Sequence, residues 1–186
     1  MNISACILYW HRIPSPLGYL LLTATAKGLS GLFMEGHSSS VRPKPDGKPD
    51  PAAFREAADQ LEGYFAGSRR EFRLAIDLVG TPFQKQVWRE LQEIPYGTTV
   101  TYGQLAKRIG NPQASRAVGL ANGRNPLSII VPCHRVIGAD GSLTGYGGGL
   151  PNKRALLELE GSASDMLYAP LLPMASTGHP SMASLH

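Results

Sequence analysis

The chain has 186 residues, 42% of them hydrophobic and 17% charged, a globular composition long enough to bury a core in one large domain or two small ones. No window approaches the ~18–20 unbroken apolar residues of a membrane span, and Met1–Trp10 has no basic residue before its apolar patch, so neither a membrane span nor a signal peptide is expected. The formal net charge of +4 is unevenly spread: residues 81–154 hold nine basic side chains against three acidic, whereas 155–186 hold three acidic and no basic ones. A basic middle segment suits a polyanion such as nucleic acid, although charge alone fits a solubilising surface equally well. The two cysteines, Cys6 and Cys133, are far apart and outside any metal-like cluster, which favours a reduced protein of the cytoplasm.

Residues 7–35 alternate in a β-like manner, with turn signals at PSPLG and TAKG, and predict a small antiparallel meander. The Pro-, Gly- and Ser-rich stretch near 37–50 predicts a mobile loop. Phe54, Ala57, Ala58, Leu61 and Phe65 fall at helical spacing, and FRLAIDL (72–78) can form a further strand. These elements make an N-terminal α/β unit over 1–80, with no evident chemistry of its own.

A second unit, 81–160, opens with Thr81 as a helix N-cap and Pro82 at the first helical position. Phe83, Val87, Trp88, Leu91 and Ile94 form one apolar face. In TYGQLAKRIG, Thr101 and Gln104 fit a capping box, Tyr102, Leu105, Ala106 and Ile109 make a helical stripe, and Gly110 ends it. Asn111-Pro112 then starts another helix through about Asn122, so the pair reads as a helix-turn-helix. Ala114, Ala117, Val118 and Ala121 are its expected core stripe. Its opposite side carries Ser115, Arg116, Gly119 and Gly123, leaving Arg116 among residues with almost no side chain. Such a face brings a helix backbone close to a surface with one cation projecting. It suits nucleic acid, and it also suits a tight helix–helix contact.

The apolar run LSIIVP (127–132) predicts a short buried strand ending at Cys133, followed by His134, Arg135 and the turn GADG. A cysteine beside a histidine is a candidate nucleophile, because the thiolate is the reactive form and a base favours it. Neighbours on a strand point to opposite faces, so His134 reaches Cys133 only through a bend or a bridging water. Taken alone, these residues leave a structural cysteine open.

The stretch VPCHRVIG, preceded by ASRAVGLANGRNP and followed by LTGYGGGL, resembles the O6-alkylguanine-DNA alkyltransferase family, from about Thr81 to Glu160, with a looser match at PSPLGYLLLTATAKGLSGLFME. The resemblance implies an α+β protein: a small ribonuclease-H-like N-terminal domain with an antiparallel sheet, and a mainly helical C-terminal domain containing the helix-turn-helix. It implies Cys133 as the alkyl acceptor, His134 as its base through a water, and Glu160 as the residue that orients His134. Asn125 would brace the active-site turn, and Tyr102 would donate toward guanine N3. Arg116 would enter the duplex in place of the flipped nucleotide, with Ser115, Ala117, Gly119 and Tyr102 also against DNA. Val136, Tyr146, Gly147 and Gly148 would line the guanine pocket. The implied partner is double-stranded DNA carrying alkylated guanine, bound by a monomer, with cooperative binding left open.

Some relatives carry a structural zinc in the N-terminal domain; the Cys/His set for it is missing here, so no metal and no cofactor are expected. Gly147 stands where some relatives have a serine that could bond guanine O6. The segment 161–186, with three prolines and no basic residue, lies outside the resemblance and is expected to be an irregular extension that packs back through Met166, Leu167, Tyr168, Leu171 and Leu172. A non-catalytic lesion-binding relative is the main alternative, but that group usually replaces the acceptor cysteine. A helix-turn-helix regulator would need base-reading side chains at 115–123, where Ser, Gly and Ala predominate.

Overall fold

In the computed structural model, which describes residues 7–37 and 47–162, the expected meander forms from β1 (Tyr9–Ile13), β2 (Leu20–Thr25) and β3 (Gly28–Met34). The strands are antiparallel in the order β3-β2-β1, and β4 (Lys48–Pro49) adds to β1 in parallel. Register follows the apolar pattern: Leu20 faces Met34 and Leu22 faces Leu32, all buried on the core side of the sheet. A 3-10 turn, Ala52–Phe54, leads into α1 (Arg55–Phe65); the turn contributes Phe54, and α1 contributes Ala57, Leu61 and Tyr64, to the same core.

Residues 72–78 do not form the expected strand. They make one parallel bridge, Leu29 with Ile76, in which Leu29 N–H donates to Ala75 O and Asp77 N–H donates to Leu29 O, each at 2.8 Å. The reason lies at the other end of the same edge. There Leu32 N–H donates to Pro126 O at 2.8 Å and Leu32 O accepts from Ser128 N–H at 3.2 Å. The outer edge of β3 is thus divided between two segments, and neither has room for a full ladder.

The second half begins with α2 (Pro82–Gln92), where Thr81 and Gln84 form a capping box. Its buried Trp88 donates Nε1–H to Ala121 O at 2.9 Å, fixing α2 against α4 (Ser115–Gly123). β5 (Val100–Thr101) pairs in parallel with β6 (Val136–Ile137), and α3 (Tyr102–Arg108) follows β5 directly with the expected Thr101–Gln104 capping box. Gly110, at φ +77°, turns the chain into a 3-10 turn, Pro112–Ala114, before α4; the expected single helix from Asn111 is therefore split. Val118 and Ala121 of α4 are buried, but Ala117 is exposed and does not belong to the core stripe. The last element is α5 (Leu150–Leu159), with Glu160 at its C-cap.

LSIIVP is also not a strand. Leu127 bridges Leu32, and the chain then turns, with Val131 N–H donating to Leu127 O and Ile130 N–H to Ser128 O. Leu127, Ile129 and Val131 all enter the core. Burial satisfies a short apolar run in either conformation, so the tertiary edge contact decides between them. One continuous hydrophobic cluster runs from β2 and β3 through α1 and α2 to α4, β6 and α5. Most of the loop expected near 37–50 and of the extension expected over 161–186, including Met166–Leu172, lies outside the described residues.

Gly28 shows how closely the 75–77 segment approaches β3. Its φ is +143°, and a Cβ there would lie 2.3 Å from Ala75 O. Gly28→Ala is expected to destabilise the protein by about 1–3 kcal/mol, measured as a lower urea midpoint with an unchanged slope.

Candidate active site

Cys133 is buried at 3% exposure and opens a 3-10 turn, Cys133–Arg135, directly after the 127–131 turn. Asn125 organises both turns. Its Oδ1 accepts from Leu127 N–H at 3.0 Å, and its Nδ2 donates to Val131 O at 2.7 Å and to Cys133 Sγ at 3.0 Å. The turn holds Ile129 at φ +72°, a left-handed conformation unfavourable for a β-branched residue by about 1–3 kcal/mol. The Asn125 bonds and the burial of Ile129 keep it there.

The 3-10 turn sends His134 and Arg135 to the same carboxylate. His134 Nε2 lies 2.9 Å from Glu160 Oε1, while Arg135 donates through Nε to Oε2 and through Nη2 to Oε1, both at 2.8 Å. Tyr64, from α1, donates its hydroxyl to Oε1 at 2.7 Å, and Gly97 N–H reaches Oε2 at 3.3 Å. Glu160 therefore accepts from five donors. Burial alone would push its carboxyl up, but the hydrogen bonds from His134 and Arg135 and the positive charge of Arg135 outweigh that and hold it well below the usual carboxylate range.

An anionic Glu160 facing Nε2 fixes the imidazole tautomer: Nε2 carries the hydrogen and Nδ1 the lone pair. Nδ1 is buried with no hydrogen-bond partner among the described residues. Burial lowers the His134 pKa, Glu160 opposes that, and the charges of Arg135 and Lys153 reinforce it, so the ring is neutral near pH 7. Burial likewise pushes the Cys133 thiol up, offset only in part by the Asn125 bond and the Lys153 charge. The site thus holds a protonated thiol and, on the next residue, a neutral imidazole oriented by Glu160.

The wall around the thiol comes from α3, β6 and the loop before α5. Tyr102 OH donates to Thr144 O at 3.2 Å and to Gly145 O at 3.4 Å. Lys153, fully buried in α5, donates to Val136 O at 2.6 Å and to the same Thr144 O at 2.8 Å. Burial pulls the Lys153 pKa down to about 8, against the opposing influence of Cys133. Tyr146 places its hydroxyl 4.0 Å from Met34 Sδ, and Gly148 is packed so tightly that a Cβ would meet that sulfur at 2.5 Å. At Gly147 a Cβ would press on the His37 ring at 3.1 Å.

Gly119 of α4 abuts the Tyr102 ring, which a Cβ there would meet at 3.7 Å, with Ser115 half-buried alongside. Arg116, Ala117 and Leu120, the last 66% exposed, form the outer face of α4. The structure therefore places two hydrogen-bonded groups, Asn125 with Cys133 and His134 with Glu160, side by side on consecutive residues of one turn, with Tyr102, Val136 and residues 146–148 nearby and Arg116 on the surface. Sequence reasoning missed Tyr64, Arg135, Gly97 and Lys153 as parts of the cluster, and Leu120 on the outer face. The adjacency of Arg135 to His134 was a usable signal; nothing in the sequence tied Tyr64 to a residue 96 positions away. Among the described residues no group of three or more His, Cys, Asp or Glu side chains is placed to hold a metal ion.

Two domain families match this chain. The ribonuclease-like domain of 6-O-methylguanine DNA methyltransferase matches residues 8–78, and its DNA-binding domain matches residues 82–162. The methylated-DNA–protein-cysteine methyltransferase of Mycobacterium tuberculosis is 53% identical over 156 residues, covering 84% of this chain and 94% of the relative. That of Methanosarcina acetivorans is 54% identical over 156 residues, covering 83% and 99%. The crystal structure of the Mycobacterium tuberculosis OGT in complex with DNA superposes with a TM-score of 0.79 at 54% identity, covering 83% of this chain and 94% of that one.

Because the Glu160 carboxyl is held below its unfolded value of about 4.3, its stabilising contribution is complete above that pH and is lost as pH falls through the folded value. Glu160→Gln is expected to cost roughly 3–5 kcal/mol at neutral pH by leaving Arg135 buried without its anion. The gap to the unsubstituted protein should narrow steadily below about pH 4, as followed by urea unfolding across that range.

Proposed function

The chain belongs to the 6-O-methylguanine DNA methyltransferase family, and we propose that it repairs duplex DNA by moving an alkyl group from guanine O6, and from thymine O4 where that lesion fits, irreversibly to Cys133. The observation that carries this reading is a buried, protonated thiol held by Asn125 beside a neutral histidine whose proton-accepting nitrogen is unoccupied by protein. The thiol proton passes to His134 Nδ1 through a bridging water, and Glu160 stabilises the imidazolium that forms. Sulfur attacks the alkyl carbon as the carbon–O6 bond breaks, leaving the electron pair on guanine O6. Tyr102, released from the Thr144 and Gly145 carbonyls, donates to guanine N3 and stabilises the charge spread over the base. The guanine anion then takes up one proton. Thiol and substrate supply every atom, so the transfer needs no cofactor, and the thioether product ends it after one turnover.

An alkyl group on O6 lies within the base stack, so the nucleotide must leave the helix first. The exposed face of α4, the second helix of a helix-turn-helix, docks against DNA through Ser115, Ala117 and Gly119, and Arg116 fills the space of the extruded nucleotide. Val136, Tyr146, Gly147 and Gly148 receive the base. The protein acts as a monomer in the cytoplasm, where thiols stay reduced. The two domains divide near residue 80.

Incubation with a duplex containing one O6-methylguanine should add a single methyl to the intact mass, and Cys133→Ser should abolish it. Lesion-selective binding without a mass change would instead indicate a non-catalytic lesion-binding protein. Arg116→Ala is expected to slow transfer from duplex DNA by about tenfold or more, because the cost of extrusion is no longer offset. Transfer from the free base O6-benzylguanine, which needs no extrusion, should stay within about twofold of the unsubstituted rate.

A further inference from the structure

Glu160 Oε1 is shared by three donors from three parts of the chain: His134 Nε2, Arg135 Nη2 and the Tyr64 hydroxyl. The shortest of these contacts is the one from Tyr64, at 2.7 Å. Tyr64 is fully buried in α1, and its ring is boxed by Phe65, Phe72 and Tyr96 with centroids 5.5, 5.4 and 6.1 Å away. Packing therefore aims the hydroxyl without any need for the hydrogen bond. Burial first, and the Glu160 charge second, raise the phenol pKa, so the group is a permanent donor.

We propose that Tyr64 is a positioning residue for alkyl transfer: its hydroxyl occupies Glu160 Oε1, restrains the pull of that oxygen on the His134 N–H, and so holds His134 neutral. The proposal builds on the reading of His134 as the base for Cys133. A carboxylate oxygen that already accepts a short hydrogen bond stabilises a neighbouring imidazolium less than a free one does. An imidazolium cannot accept the thiol proton. The other charges facing His134 are Arg135 and Lys153, both of which disfavour its protonation; Arg135 and Tyr146 also face Tyr64. Glu160 is the only influence among these groups that favours the imidazolium, and Tyr64 is the donor that the N-terminal half contributes to it. The balance between neutral and charged His134 thereby depends on α1 being docked.

The test is Tyr64→Phe in the full chain, which keeps the ring and removes one hydroxyl. Imidazole resonances of labelled histidine, with His134 identified by its loss in His134→Gln, give the His134 titration midpoint directly. The midpoint is expected to move to higher pH. The acid limb of methyl transfer from the O6-methylguanine duplex should move in the same direction, with transfer on that limb slower by about threefold or more and the high-pH plateau within about twofold of the unsubstituted protein. 3-Fluorotyrosine at position 64, a stronger donor of nearly the same shape, should move the midpoint the opposite way. A lower melting temperature with an unmoved His134 midpoint in Tyr64→Phe, or a fluorotyrosine shift in the same direction as the phenylalanine one, would overturn the proposal. Failure of the unsubstituted protein to take up a methyl group would count against the functional reading alone, because the imidazole titration decides the role of Tyr64 without it.

Discussion

A single buried carboxylate ties the molecule together. Removing an anion from water costs several kcal/mol unless fixed donors replace the lost hydration. Glu160 meets that requirement with donors from α1, the turn at Gly97, and two side chains of the cysteine turn, while it caps α5 itself. No one of these elements satisfies the carboxylate alone, so each is positioned with reference to the others. The electrostatic result follows from the same contacts: a permanent anion at Nε2 determines which nitrogen of His134 holds the lone pair.

Placement of the thiol depends on a second, covalently close device. A regular strand through 127–133 would have put Cys133 and His134 on opposite faces. The left-handed Ile129 and the γ-like bond from Cys133 N–H to Val131 O instead fold the chain tightly, and Asn125 holds both the turn and the sulfur. Strain of this kind persists where surrounding contacts over-determine the conformation. Here the neighbouring β3 edge supplies them, since Leu32 bonds on both sides of Leu127. The N-terminal sheet thus supports the Cys133 turn, as α1 supports the carboxylate that orients His134.

The resulting site is quiet until occupied. Burial pushes the Cys133 thiol up and so lowers its reactivity toward adventitious electrophiles. Lys153 is fully buried with its ammonium on two carbonyls, and shares one of them with Tyr102. A lysine that burial has brought to about 8 favours an anion at Cys133 without bonding to it directly. The tight fit of Gly147 against His37 gives a steric reason for the absence of a side chain there.

The sequence by itself determined whatever is written in local spacing: the meander and the helices capped by Thr81 and Thr101. Those features rest on side-chain period and on backbone groups a few residues apart, so nearest neighbours suffice to specify them. Only the tertiary structure decided that 72–78 and 127–132 are not strands, because both compete for one edge of β3 and the edge is too short for two ladders. It alone decided that Ala117 faces outward. The five-donor shell of Glu160 was likewise out of reach, since Tyr64 and Glu160 are 96 positions apart and each, read locally, is an ordinary helical residue. A hydrogen bond between buried groups is selected by the free energy of leaving either unpaired, and that cost exists only once the core around them has formed.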